Sequence, residues 1–147
     1  MRRLIVTVSF LALAIPVARA DEKDDAAKKL NGSYEVLDFL VRGKSDASKK
    51  DAKVTAVIKD GTIEIKEGEK EKAETAKFTL DPSKKPAQID IMPGRGSDKT
   101  VPGIYEVKET DKGTELTIAF AKGGGTRPKD FKGEGDSEVV LKLFRKK

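Results

Sequence analysis

Phe78-Thr79-Leu80-Asp81-Pro82-Ser83-Lys84-Lys85-Pro86-Ala87-Gln88-Ile89-Asp90-Ile91 is the stretch on which the fold turns. Apolar residues alternate with polar ones on either side of a connection punctuated by two prolines. Alternation with period two marks a strand with one buried face. Pro has no N–H to donate, so it ends a ladder rather than continuing it. The stretch predicts two short strands, with Ala76, Phe78 and Leu80 on one apolar face and Ile89 and Ile91 on the next.

The same plan repeats outward. Upstream, Asp60-Gly61 separates Val54–Lys59 from Thr62–Lys66. A type I′ hairpin turn needs positive φ at both central residues, which Asp-Gly tolerates. Ile63 and Ile65 then face one way and Thr62, Glu64 and Lys66 the other. Glu67 to Lys72 is a charged loop. Farther upstream, Ser33 to Val41 predicts a strand with Tyr34, Val36 and Leu40 on one face and Leu37, Phe39 and Val41 on the other, so it is covered on both sides over part of its length. Arg42 to Lys53 is polar and turn-like. Downstream, Met92 to Pro102 predicts a loop, either a lid over an opening or an ordinary connection. Gly103 to Lys108 predicts a strand with Tyr105 and Val107 opposite Ile104. Asp111-Lys112-Gly113 is a further turn, and Leu116, Ile118 and Phe120 alternate with Thr117 and Ala119. Gly123 to Gly135, with five glycines and Pro128, reads as a flexible connection. Glu138 to Phe144 closes the pattern, with Val139, Leu141 and Leu143 on one face.

Eight short strands without a long helical period place the chain among all-β sandwiches and small antiparallel up-and-down barrels. Eight strands can close into a barrel whose interior holds side chains or one small ligand, and closure removes exposed edges.

The first twenty residues are of another kind. Arg2 and Arg3 precede the apolar run Leu4–Val17, and Ala18-Arg19-Ala20 is an A-x-A site, the three parts of a secretory signal peptide. The run is shorter than the roughly 20 apolar residues of a spanning helix. The expectation is export across the inner membrane to the periplasm or medium, with cleavage after Ala20 and no stable membrane insertion afterwards. Residues 21–29 form either a short helix or a disordered leader, and residues 30–147 the barrel domain. The chain has 30 basic and 25 acidic residues. Arg2, Arg3 and Arg19 precede the cleavage point, which leaves 27 basic against 25 acidic. Lys and Glu interspersed in both signs make a solvated surface rather than a phosphate-binding stripe, so nucleic acid is not an expected partner. The chain has no Cys and no His, which excludes thiol nucleophiles, Cys/His zinc sites and Ser-His-Asp triads.

Several segments, in order, resemble an uncharacterised lipocalin-like domain family of secreted planctomycete proteins. They are Leu30-Asn31-Gly32-Ser33-Tyr34, Leu80 to Pro86 with Ile89-Asp90, Pro102 to Glu106, Leu116 to Ala121, Arg127 to Phe131, and Val140 to Leu143. The resemblance spans the chain beyond the signal segment and implies a lipocalin-like barrel with no known activity. Two positions depart from the family pattern: Tyr34 stands where Trp is usual, and Ala119 where Cys is frequent. Tyr34 fills less volume and brings a hydroxyl that needs a partner.

Four sets of residues are candidates for a site. Tyr34 and Arg145 are a candidate barrel-closing pair, with Arg145 stacked on the ring as a basic residue stacks on the motif Trp of lipocalins; the alternative is a solvated Arg145 in a basic tail. Arg127 is either an anchor for an anionic ligand head at a barrel mouth or a structural residue pinning its loop through carbonyls or a carboxylate such as Asp130. Glu134, Asp136 and Glu138 alternate, but match no calcium loop. Asp90 and Glu64 would form an acid–base pair only if their strand faces point inward. The expected function is that of a non-enzymatic binding domain. It would take a small apolar or amphipathic ligand against Phe78, Ile118 and Phe120, beside Ile63 and Ile65, with Arg127 as the polar anchor and without metal or cofactor. The alternative is a structural or protein-interaction domain with a filled core.

Overall fold

The computed structural model describes residues 18–69, 72–94 and 98–147, without the side chains of 18–20, 50 and 51. The apolar run of the expected signal peptide lies outside the described residues, as does the centre of the Met92–Pro102 segment. The elements are α1 (Ala18–Lys29), β1 (Gly32–Val41), β2 (Lys44–Ser45), α2 (Ala47–Asp51), β3 (Val54–Lys59), β4 (Thr62–Glu67), β5 (Glu74–Asp81), β6 (Ala87–Pro93), β7 (Val101–Glu109), β8 (Gly113–Ala121) and β9 (Glu138–Lys146).

Every ladder is antiparallel. β1 pairs with β3, each later strand pairs with its successor, and β9 returns to pair with β1. The result is a closed eight-stranded up-and-down barrel, with β2 as a two-residue ninth strand on β1. The eight barrel strands are those the alternation predicts. Asp60 (φ 47°) and Gly61 (φ 76°) form the left-handed turn that joins β3 to β4, with Lys59 opposite Thr62.

Four details correct the sequence reading. The ladder between β1 and β9 shifts register between Val36 and Asp38. A bulge at Leu37 inserts one residue, so alternation restarts. Phe39 therefore packs inward with Tyr34 and Val36, while Leu40 turns outward. Second, Arg42 to Lys53 is not all turn. Arg42 and Gly43, both at positive φ, fold β2 back onto β1. The Asp46 carboxylate accepts the Ser48 N–H at 3.1 Å and caps α2. Third, β6 and β7 extend into the Met92–Pro102 segment, taking Met92, Pro93, Val101 and Pro102. Pro102 is tolerated because the β7–β8 ladder starts only at Gly103. Fourth, residues 122–137 are a strap laid on the outside of the barrel. Phe131, like Leu40, packs on the outer cluster of Ile104, Ala119 and Val140, Pro128 is buried, and Arg127 bonds to the wall beneath. The strap explains why the outward faces of β7, β8 and β9 are apolar there.

Of the two expectations for residues 21–29, the helix is the one observed. Asp21 lies in the early turns and Lys28 and Lys29 in the last, the charge order that complements the helix dipole. Ala26 and Ala27 rest on the interior cluster and lead to Leu30, which is 1% exposed. Helix and Leu30 thus plug one end of the barrel. The main core runs along the axis: Tyr34, Ala56, Ile58, Phe78, Leu80, Ile89, Leu116, Ile118, Leu141 and Leu143.

Candidate functional site

Up-and-down topology sorts the connections between two ends. The turns at 60–61, 82–86 and 110–112 sit at the end plugged by α1. β1, β4, β6 and β8 finish at the opposite end, where, among the described residues, the strands part around an opening.

The plugged end is closed by Tyr34 and Arg145. The Arg145 guanidinium carbon lies 5.4 Å from the Tyr34 ring centroid. Its Nη1 donates to the carbonyls of Asn31 and Lys29, and its Nη2 donates to Thr114 Oγ1 at 3.0 Å. The Thr114 hydroxyl in turn donates to the Glu109 carboxylate at 3.0 Å. The Tyr34 hydroxyl finds its partner in the Leu30 carbonyl, 2.8 Å away. Burial pushes the Tyr34 phenol above its ordinary value of 10.0, with Arg145 opposing and Glu109 adding to the shift. A Cβ on Gly32 would stand 2.5 Å from Arg145 Cδ, and Gly32 has φ 147°. Glycine here lets the arginine lie flat across the chain. The pairing has the geometry of a closure, with both terminal nitrogens of Arg145 engaged. A groove of about 790 Å³ beside α1 borders this closure, lined by Ala26, Ala87, Tyr105, Val107 and Arg145 among others.

Inside the barrel, from Leu30 and Ile58 up to the opening, lies a cavity of about 320 Å³. Its wall includes Ile63, Ile65, Ala76, Phe78, Ile89, Ile91, Ile118, Phe120 and Leu141. Each sits on the inward register of its strand: Ile63 faces Ala76, Phe78 faces Ile91, and Ile118 faces Leu141. Phe78, Ile118 and Phe120, the sequence-predicted contacts, are therefore brought together on one surface. The rim carries Glu74, Thr75, Pro93, Gly94 and Val101. Sequence reasoning began the β5 face at Ala76 and missed Glu74, although the alternation extended two residues back leads to it.

Arg127 is not part of this wall. Its Nη1 donates to the Gly103 carbonyl at 2.6 Å and the Ile89 carbonyl at 3.1 Å, and its Nη2 donates to Asp90 Oδ1 at 2.6 Å. Asp90 lies between the inward Ile89 and Ile91 and so points outward. Arg127 clamps the strap to the outside of β6 and β7, through Asp90 rather than Asp130. A side chain anchored to the outer wall is not placed to meet a ligand inside.

The remaining candidates lie on the surface. Glu64 pairs with Lys66 at 3.2 Å and is not near Asp90 in register. Glu138 accepts the Gly135 N–H at 3.1 Å. Among the described residues no group of three or more carboxylates is arranged to hold a metal ion, and no helix is long and apolar enough to cross a membrane. Comparisons with family models, curated proteins and solved structures find no match to this chain.

Proposed function

We propose that this chain is an exported lipocalin-like binding protein, without enzymatic activity, that holds one small apolar or amphipathic molecule inside its barrel. The observation that carries the reading is the cavity of about 320 Å³, floored by Leu30 beneath α1 at one end and, among the described residues, open at the other. That volume is at the small end of ligand sites, and an apolar wall with few polar groups is their usual composition. Below a rim that carries Glu74 and Thr75, a wall of Ile, Phe and Leu offers burial and no acid, base or nucleophile, which favours binding over catalysis. Export is supported by Arg2-Arg3, the Leu4–Val17 run and Ala18-Arg19-Ala20.

Native mass spectrometry of the protein purified from its own host, followed by organic extraction, tests the binding reading. One discrete small molecule near one per chain is the expected result. A bare protein that also takes up no uncharged apolar probe in titration would return the barrel to the alternative of a filled structural domain. Amino-terminal sequencing of the same material tests export, since cleavage after Ala20 exposes Asp21.

A further inference from the structure

The cavity has a polar selectivity of its own, set at its rim. Below the rim the lining is apolar: Ile65, Phe78, Ile91, Ile118, Phe120 and Leu141 leave no partner for a polar group. Burying an unpaired polar group costs several kcal/mol. An amphipathic occupant must therefore enter tail first and leave its head at the opening. Register decides what the head meets there. Ile65 faces Glu74 across β4 and β5, and Val54 faces Glu67 across β3 and β4. Since Ile65 and Val54 face inward, Glu74 and Glu67 lie on the inward register, and of the two Glu74 lines the cavity. Lys49 of α2 binds Glu67 at 2.8 Å, which occupies that ammonium. The Lys49 pKa is raised above the ordinary lysine value first by this bond, with Glu74 adding a small through-space contribution. The Glu74 carboxylate has no ion-pair partner within bonding distance among the described residues, and it lines the cavity mouth. Arg127, the cation that the sequence suggests for an anionic head, is spent on the outer wall.

Resting on the reading of the cavity as a ligand site, we propose that the rim selects an aliphatic molecule with a cationic amine head and discriminates against a carboxylate head. Glu74 is the specificity-determining residue. A charge beside low-dielectric walls acts more strongly than one in open water, and Glu74 attracts an ammonium while repelling a carboxylate. The depth suits a chain of medium length, because Glu74 stands four residues along β5 from Phe78, roughly 13 Å at the rise of an extended strand.

The test is displacement of the uncharged fluorophore N-phenyl-naphthylamine by decylamine, decanol and undecanoate, three ligands that share a ten-carbon tail and differ only in head group. The expected order is amine, then alcohol, then carboxylate, with a span on the order of tenfold between the charged pair. Glu74 is exposed, so Glu74→Gln and Glu74→Lys leave the barrel intact, which far-ultraviolet dichroism checks. Glu74→Gln is expected to bring amine and alcohol together, and Glu74→Lys to invert the order. Fluorophore binding with undecanoate displacing as well as decylamine would overturn the head-group selectivity while leaving the cavity reading in place. So would an amine preference that survives Glu74→Lys. Failure of the fluorophore and of all three ligands to bind would overturn the cavity reading itself.

Discussion

Arg145 lies over the ring of Tyr34 at 5.4 Å, so the last barrel strand is locked to the first by a stacked cation as well as by the β1–β9 ladder. The same guanidinium ties down the carbonyls of Lys29 and Asn31 and the hydroxyl of Thr114. It holds the exit of α1 against both strands. Arg145→Ala removes the stack, about 0.5–2 kcal/mol, and leaves three acceptors without their donor. The expected loss of stability is about 2–4 kcal/mol by urea denaturation. Arg145→Lys keeps the charge but not the planar fork, and is expected to restore less than half of it.

The two buried phenols make an alkaline limit to stability. Burial pushes the Tyr105 hydroxyl above its ordinary value of 10.0, and Asp81 adds to it; Tyr34 is raised chiefly by burial too. The fold thus prefers both phenols neutral. Their contribution is fully present below the ordinary phenol value and is lost as pH rises through the raised folded values. Urea midpoints are expected to fall above about pH 10, and Tyr105→Phe to flatten part of that fall. An unchanged alkaline limb in both Tyr105→Phe and Tyr34→Phe would assign it to other groups.

Arg127→Ala separates clamping from binding. The substitution strips three acceptors, the carbonyls of Ile89 and Gly103 and the carboxylate of Asp90, of one donor. The Arg127 side chain is 27% exposed and that of Asp90 42%, so solvent recovers part of the loss. A cost of about 1–3 kcal/mol is expected. Affinity for an apolar ligand should stay within about twofold, since the guanidinium is outside the wall; a drop of tenfold or more in a folded Arg127→Ala protein would place it at the ligand after all.

Phe131 tests the strap from its other contact. It covers Ile104 and Val140, which are 1% and 0% exposed on the outer wall. Phe131→Ala uncovers them, at about 2–4 kcal/mol given that Phe131 is itself only partly buried. Dye binding to exposed apolar surface should rise in parallel. Equal stability with no added dye binding would mean that the strap contributes little to holding the fold.

How much of this was legible in the chain depends on the range of the interaction involved. The hairpin at Asp60-Gly61 is a local matter of φ, and the inward sets Ile63/Ile65, Phe78/Leu80 and Ile118/Phe120 follow from period two, so both could be read directly. The bulge at Leu37 could not, because no Gly or Pro marks it; it shows only in the pairing with β9. The strap was misread because five glycines suggested looseness, while the residues that fasten it, Arg127, Pro128 and Phe131, find their partners on distant strands. Its signal was the outward apolar set Ile104, Ala119 and Val140, which needs a cover. Tyr34 and Arg145 were paired through a resemblance; period two alone puts each on an inward face but cannot set them side by side.

Filling the cavity and enlarging it should have opposite consequences. Ala76 faces Ile63 and Pro93 across its two neighbouring strands, on the cavity wall. Ala76→Phe sends a ring into space that a ligand would use and adds contacts to Phe78 and Ile91. Ligand binding should be lost while stability changes by less than about 1.5 kcal/mol, because the new volume enters a void rather than a packed core. Phe78→Ala removes a side chain that is 6% exposed and widens a void already present, at about 3–5 kcal/mol. Bulkier ligands should then bind better relative to slender ones, and saturating ligand should recover part of the lost stability by mass action. If Ala76→Phe instead costs as much as Phe78→Ala, the interior is already packed, and the barrel works through its outer surface.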